Sequence, residues 1–316
     1  MKKAFEKLNL RDYGVLLGFL ALCIAISIAT PSFLGKQNIL NLLRQSSIIG
    51  IISAGMTFVI ISGNFDISVG AVAALAGAIT MKFATGGTNL FASMLLGVAI
   101  CAVIGLINGI VVAKINVPSL IATMAMVTIV RGLLLMLTGG YPITENIPIL
   151  DYIGNGYLFN IPIPVVIFFI VVLASFIVLN KTKFGRYVYS VGGNQEASKL
   201  NGINVDSHKV KVFIINAVLA GIAGIVLTGR FGTATAIAGE GYDMDAIASV
   251  VIGGTSVAGG SGSVLKTVIG VLLMSVINNS FNLLGIDVYF QYIFKGLIIL
   301  AAVGFDSYSK KKLASR

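Results

Sequence analysis

Charge is what this sequence has least of. Only 11% of its 316 residues are Asp, Glu, Lys or Arg, 22 of them basic and 12 acidic, against roughly 25% in an average soluble domain. So few charges cannot clothe a globular surface, and a soluble enzyme is excluded. Histidine is nearly absent: the single His208 lies among polar residues and reads as a solvated side chain. There is no His-containing metal motif and no nucleophile elbow. Cys23 and Cys101 both fall in apolar runs, which leaves neither a disulfide framework nor a metal cluster. A nucleotide-binding loop is missing too. Gly259 to Thr267 (GGSGSVLKT) looks superficially like one, but Leu265 stands where glycine must precede the lysine. Any ATP used by this system must be bound by another chain.

What the sequence does have is apolar length. Hydrophobic residues make up 57% of it, and the mean hydropathy is +0.97. A helix crosses the hydrocarbon core in about 20 residues. Ten apolar runs approach that length, beginning at Tyr13, Ser46, Ile67, Ala92, Pro118, Ile161, Val212, Ala246, Val264 and Phe290. The predicted fold class is all-α: a polytopic integral membrane protein of about ten transmembrane helices, with residues 1–316 forming one membrane-spanning domain in the lipid bilayer. The eighth run, Ala246–Ala258, is short and interrupted by glycine, and only Gly63, Asn64, Phe65 and Asp66 separate the second run from the third. The first run follows Lys2 and Lys3 but nears a full span, so it reads as an uncleaved helix rather than a signal peptide. Lys36 to Gln45 alternate polar and apolar at helical spacing, which predicts a short helix at the outer interface.

The few charges then serve as topology markers. A formal net charge of +10 would hint at nucleic acid in a soluble protein, but lysine and arginine kept on the cytoplasmic side of a membrane give the same excess. No nucleic-acid partner is inferred. With ten alternating spans and an inner N-terminus, 15 of the 22 basic residues fall on inner segments, including Lys2, Lys3, Lys7, Lys310, Lys311, Lys312 and Arg316. Both termini are predicted to be cytoplasmic. The longest outer loop, Gly139 to Asn160, has no Lys or Arg.

The two halves echo each other in order. Gly55 with Ile61-Ser62-Gly63 parallels Gly221 with Leu227-Thr228-Gly229, Phe65-Asp66-Ile67 parallels Tyr242-Asp243-Met244, and Ile129 to Leu133 parallels Ile293 to Leu297. Spans two to five therefore repeat as spans seven to ten. Five spans separate the two starts, an odd number, so the repeat is inverted. Inverted repeats are a transporter signature, because one half rocking against the other alternates access to a central path.

An ionisable side chain at the bilayer centre costs about 2.5–3.5 kcal/mol on insertion scales. Arg131 and Lys295 occupy equivalent repeat positions inside spans, and either a path lining or an internal ion pair would satisfy them; structural pairing is the preferred reading. Asp66 and Asp245 precede apolar helices, where helix capping is explanation enough. Asn278, Asn279 and Asn282 fall on one helix face and Asn108 lies in the fourth span. Such amides suit interhelical hydrogen bonding and equally a polyhydroxylated solute. None of the 12 acidic residues is placed convincingly near the midplane, which argues against an ion-coupled secondary transporter. No cluster of polar catalytic residues at one interface supports a membrane transferase.

The inner connection over residues 181–211 is the most informative segment. Gly192-Gly193-Asn194 breaks the chain, Gln195 to Leu200 can form a short helix, and Gly202 ends it. A small rigid helix projecting from a membrane domain is a lever for a soluble partner. Here the sequence resembles the permease subunit of bacterial ABC sugar importers, in the ribose-type branch. Phe184 to Val205 looks like that family's loop between its sixth and seventh helices, and Gly63 to Gly70 (GNFDISVG) resembles its Gly-Gly-Ile-Asp-Leu-Ser-Val-Gly block, departing at Asn64 and Phe65. Gly241 to Ala248, with Gly253-Gly254-Thr255-Ser256, and Asn278 through Gly285 to Lys295 are similar to two further blocks.

The resemblance implies a non-enzymatic chain in a bacterial plasma (inner) membrane. It would pair as a homodimer, dock an ABC ATPase subunit that binds ATP-Mg, and receive sugar from an extracytoplasmic binding protein. It also implies that Gly185, Arg186, Gly192, Gly193, Asn194, Glu196, Ala197 and Gly202 form the ATPase-coupling loop, with Glu196 and its neighbours in the ATPase groove and Arg186 as anchor.

Overall fold

The computed structural model describes residues 10–314. Among them the chain is helical apart from turns, loops and four two-residue strands. The helices are α1 (Leu10–Ala29), α2 (Lys36–Ile61), α3 (Val69–Thr85), α4 (Leu90–Ala113), α5 (Ser119–Thr138), α6 (Pro148–Asn155), α7 (Ile163–Lys181), α8 (Lys183–Gly193), α9 (Gln195–Leu200), α10 (Val205–Phe231), α11 (Tyr242–Ile252), α12 (Val264–Leu283) and α13 (Val288–Ala314). Local chemistry sets several boundaries. Asn89, Thr182, Asn194 and Asn204 each accept a backbone N–H at the start of α4, α8, α9 and α10. Gly139 and Gly232 close α5 and α10 in the left-handed conformation.

Every predicted run contains a helix, but not every helix is a full span. Six are long and apolar enough to cross a membrane: α2, α4, α5, α7, α10 and α12. At 1.5 Å per residue, the eleven residues of α11 reach only about 16 Å. The run expected to continue to Ala258 stops at Ile252 because Gly253 and Gly254 open a turn. A second correction concerns the outer interface. Lys36–Gln45 is not a separate helix but the first turns of α2, which runs unbroken to Ile61. The expectation built on Lys2, Lys3, Lys7 and Arg316 falls outside the described residues.

From Ser46 to Ser62 every residue is buried, as is every residue from Val69 to Met81. A helix apolar all round belongs in the middle of a bundle, and α2, α3 and the second half of α10 form that middle. Close approach depends on absent side chains. A Cβ on Gly224 of α10 would stand 1.8 Å from the Ala73 carbonyl of α3, and one on Gly105 of α4 would stand 2.6 Å from the Phe213 carbonyl of α10. The packing pattern is reciprocal: α3 lies on α4, α5 and α10, and α11 lies on α12, α13 and α2, while α10 packs on α4 as α2 packs on α12. The first helix of each half expected to repeat thus leans on the third helix of the other half. The loop after α5 is folded rather than open: β1 (Ile143–Thr144) pairs with β4 (Thr233–Ala234), and β2 (Tyr157–Leu158) with β3 (Ile161–Pro162).

Candidate functional site

Each short helix, α3 and α11, follows non-helical backbone and carries a buried carboxylate near its start. Inside a bundle such backbone must find partners. Ser119 and Thr123 of α5 supply them, their hydroxyls accepting from Phe65 N (3.1 Å) and Ile67 N (3.2 Å). Asp66, 1% exposed, accepts from the Ser68 amide (2.9 Å), the Ser68 hydroxyl (2.5 Å) and Asn216 Nδ2 of α10 (2.9 Å). Asn108 of α4 donates to the same Ser68 hydroxyl at 3.0 Å. Asp66 is therefore the hub of a network joining α3, α4 and α10, which is more than a cap.

The second carboxylate differs from the expected cap altogether. Asp245 sits in the first turn of α11 and faces α12 and α13. Lys295 Nζ is 3.0 Å from its Oδ1 and donates to Oδ2 at 3.1 Å, while Asn278 Nδ2 lies 3.5 Å from Oδ2. Two carboxylates thus lie buried in the bundle, each reached by side chains from other helices. The equivalent cation Arg131 is held differently, donating to the carbonyls of Ala236 and Ala238 in the segment between α10 and α11. The three asparagines of α12 also separate. Asn278 reaches Asp245, Asn279 exchanges two amide hydrogen bonds with Asn38 of α2, and Asn282 is exposed and accepts from Gln291. Neighbouring Asn278 and Asn279 point about 100° apart around α12, enough to bring them to different partners.

Arg131 and Lys295 flank a cleft. Its main part, about 580 Å³, lies between α3, α5 and residues 236–244, and is lined by Arg131, Glu240, Asp243 and Tyr292 among others. An adjoining pocket of about 280 Å³ shares Glu240, Gly241, Met244 and Tyr292 and adds Gln291 and Lys295. Of the intramembrane residues singled out in the sequence, Arg131 and Lys295 line this space, whereas Asp66, Asn108, Asp245, Asn278, Asn279 and Asn282 are not among its lining residues. Sequence reasoning passed over Glu240, Tyr292 and Gln291 as cleft residues, because nothing local marks them.

The segment over residues 181–211, which the resemblance marks as ATPase-coupling, lies at the other end. α10 starts beside α9 and its 27 residues carry the chain about 40 Å to the segment that roofs the cleft. In α8, Gly185 lies against the Leu179 carbonyl, where a Cβ would be 2.1 Å away. Asn194 Oδ1 accepts from Ala197 N (2.9 Å) to start α9, and Gly202 leaves it at φ +78°. Arg186, Gly193, Asn194, Glu196 and Ala197 are exposed, and so is Leu200, at 89%. Gly192 faces inward onto the Ile61 carbonyl at the end of α2. Tyr189 donates to the Gly262 carbonyl at 3.0 Å; burial pushes its phenol up, so it stays a donor at neutral pH. His208 is not simply solvated: its ring lies 5.8 Å from Phe184 and 5.0 Å from Tyr187, fastening α8 to α10.

Residues 38–303 match the family model described as the permease component of the branched-chain amino acid transport system. The chain belongs to this permease family. The permease is 43% identical over 303 residues to the ribose import permease protein of Haemophilus influenzae, covering 93% of this chain and 94% of that one. It is 39% identical over 310 residues to the ribose import permease protein of Escherichia coli K12, 97% of each chain. The L-arabinose transport system permease protein of Escherichia coli K12 is 35% identical over 300 residues, 95% of this chain and 92% of that one. No solved structure matches the permease. Its family and its apolar helices make it a multi-pass protein of the bacterial inner membrane.

Proposed function

We propose that this permease is the membrane subunit of an ATP-driven (ABC) importer that passes a monosaccharide, ribose or a close relative, from an extracytoplasmic binding protein to the cytoplasm. The observation that carries this reading is 39–43% identity, end to end, with ribose import permeases. A separate ATPase subunit binds ATP-Mg and hydrolyses it; the permease catalyses nothing. Ten membrane-embedded helices in an inverted repeat, with both termini cytoplasmic, place α8 and α9 inside and the Arg131–Lys295 cleft towards the outside. The flanking α5 and α13 expose Met136, Tyr289, Ile293 and Leu300, and the charged lining of the cleft beside them would be costly to leave in lipid. A second copy closing over that face satisfies both features, so the working unit is a homodimer.

ATP-driven closure of the ATPase pair draws the α9 helices together, and α8 transmits the movement to the bundle. Expression of the chain in a bacterium lacking its own ribose permease, with the cognate ATPase and binding protein, should restore growth on ribose as sole carbon source. Failure to grow despite normal membrane levels overturns the assignment. The exposed Glu196 offers a test of the docking end. Glu196→Lys should weaken ATPase co-purification about tenfold, or about 1.4 kcal/mol, without loss of membrane insertion; undiminished co-purification counts against the docking role.

A further inference from the structure

Resting on the sugar-importer reading, we propose that the cleft between Arg131 and Lys295 is a weak, transient binding site for a neutral sugar ring, with Tyr292 and Glu240 as its principal contacts. Tyr292 and Glu240 line both the 580 Å³ cleft and the adjoining 280 Å³ pocket, so a solute passing between the two meets both side chains. Both are exposed, Tyr292 at 62%, and neither is consumed by the bundle's packing.

The charges are balanced. Arg131 shares the main cleft with Glu240 and Asp243, Lys295, paired with Asp245, shares the adjoining pocket with Glu240, and no single sign dominates the lining. A lining of mixed sign does not select an ion; it offers donors and acceptors together, which is what a ring of hydroxyl groups uses. Arg131 spends Nη1 on the Ala236 and Ala238 carbonyls, leaving guanidinium donors of its five N–H groups for a ligand. Gln291 spends Nε2 on Asn282 and Ile286, and its carbonyl oxygen remains an acceptor. An aromatic ring beside such groups supplies an apolar face for the C–H side of the sugar. Weak binding fits the task, since a solute in transit has to leave.

The test is saturation-transfer NMR on the full chain in lipid nanodiscs, titrated with D-ribose and separately with L-valine, beside ATP-driven ribose uptake by the assembled importer. Ribose should receive saturation and valine should not. Tyr292→Ala and Glu240→Ala should each weaken the ribose Kd about fivefold, the scale of one aromatic or hydrogen-bonded contact, with Tyr292→Phe close to the parent. Ribose binding unchanged in both alanine variants, or valine taking the place of ribose, overturns the cleft proposal even where uptake proceeds. Absence of ATP-driven ribose uptake by the unmutated importer overturns the sugar-importer reading itself, and the cleft proposal with it.

Discussion

A single methyl group at Gly192 is expected to uncouple ATP hydrolysis from sugar uptake. Three pieces of backbone meet at this point. The end of α8 packs Gly192 on the Ile61 carbonyl that closes α2, and Gly260, in the α11–α12 loop, donates its amide to the same carbonyl at 2.8 Å. Tyr189 adds its bond to Gly262. The segment proposed to couple is thereby joined to α2 and to the loop between α11 and α12. A Cβ on Gly192 would lie 1.7 Å from the Ile61 oxygen and 2.8 Å from the Gly260 amide nitrogen, both backbone atoms. Something must move, and overpacking of this kind costs about 1–3 kcal/mol.

Because the strain falls on the junction rather than on the exposed α9, Gly192→Ala should keep its ATPase partner and hydrolyse ATP. Sugar moved per ATP should fall about tenfold, a 1.4 kcal/mol effect on the coupled step. Gly18→Ala in α1 is the control, since no atom lies within 4 Å of its Cβ. Gly260→Ala reaches the junction from the other side: its φ is +73° and its Cβ would meet Gly193 Cα at 2.7 Å. Unchanged coupling in Gly192→Ala and Gly260→Ala together would show that the movement takes another route.

Lys295→Met should lower stability by about 3 kcal/mol, the lower end of the range for breaking a buried pair, because Lys295 keeps 23% of its side chain exposed and solvent screens part of the interaction. α13 meets the bundle chiefly through α11, and the Lys295–Asp245 pair is the one salt bridge between them among the described residues. Removing the cation leaves the Asp245 carboxylate 6% exposed with only a 3.5 Å contact from Asn278. Lys295→Met combined with Asp245→Asn should recover most of the loss, since an amide needs no counter-ion. Thermal unfolding of the three variants in detergent decides the matter. A single variant as stable as the parent, or a double variant no better than the single, would mean the pair does not hold α13.

Much of this architecture was legible because membrane helices announce themselves by apolar length: all ten runs contain a helix, and six of these helices are long and apolar enough to cross a membrane. Boundaries were less legible. No glycine or proline separates Gln45 from Ser46, so nothing in the pattern told whether the amphipathic Lys36–Gln45 stretch would stop or continue into α2. The glycines after Ile252 did mark the eighth run as abnormal, and the structure turns that mark into a half-length helix. Arg131 and Lys295 stood out as charges in apolar surroundings, but their partners lie 105 or more and 50 residues away. A capping reading of Asp245 rested on sequence neighbours, whereas Lys295 and Asn278 reach it from other helices. The aromatic partners of the half-exposed His208 come from α8, on the far side of α9 in the chain, and were not legible for the same reason. Local chemistry fared better in the coupling segment, where the Asn194 cap and the left-handed Gly202 follow from residues within one turn.

The central claim is that this chain moves sugar only when another subunit spends ATP. It is tested most directly by uptake of labelled ribose into proteoliposomes holding the permease with its ATPase, supplied with binding protein outside and ATP inside. Uptake should require ATP, the ATPase and the binding protein together, and should survive an ionophore that collapses ion gradients. Uptake that continues without ATP and stops with the ionophore would contradict the account.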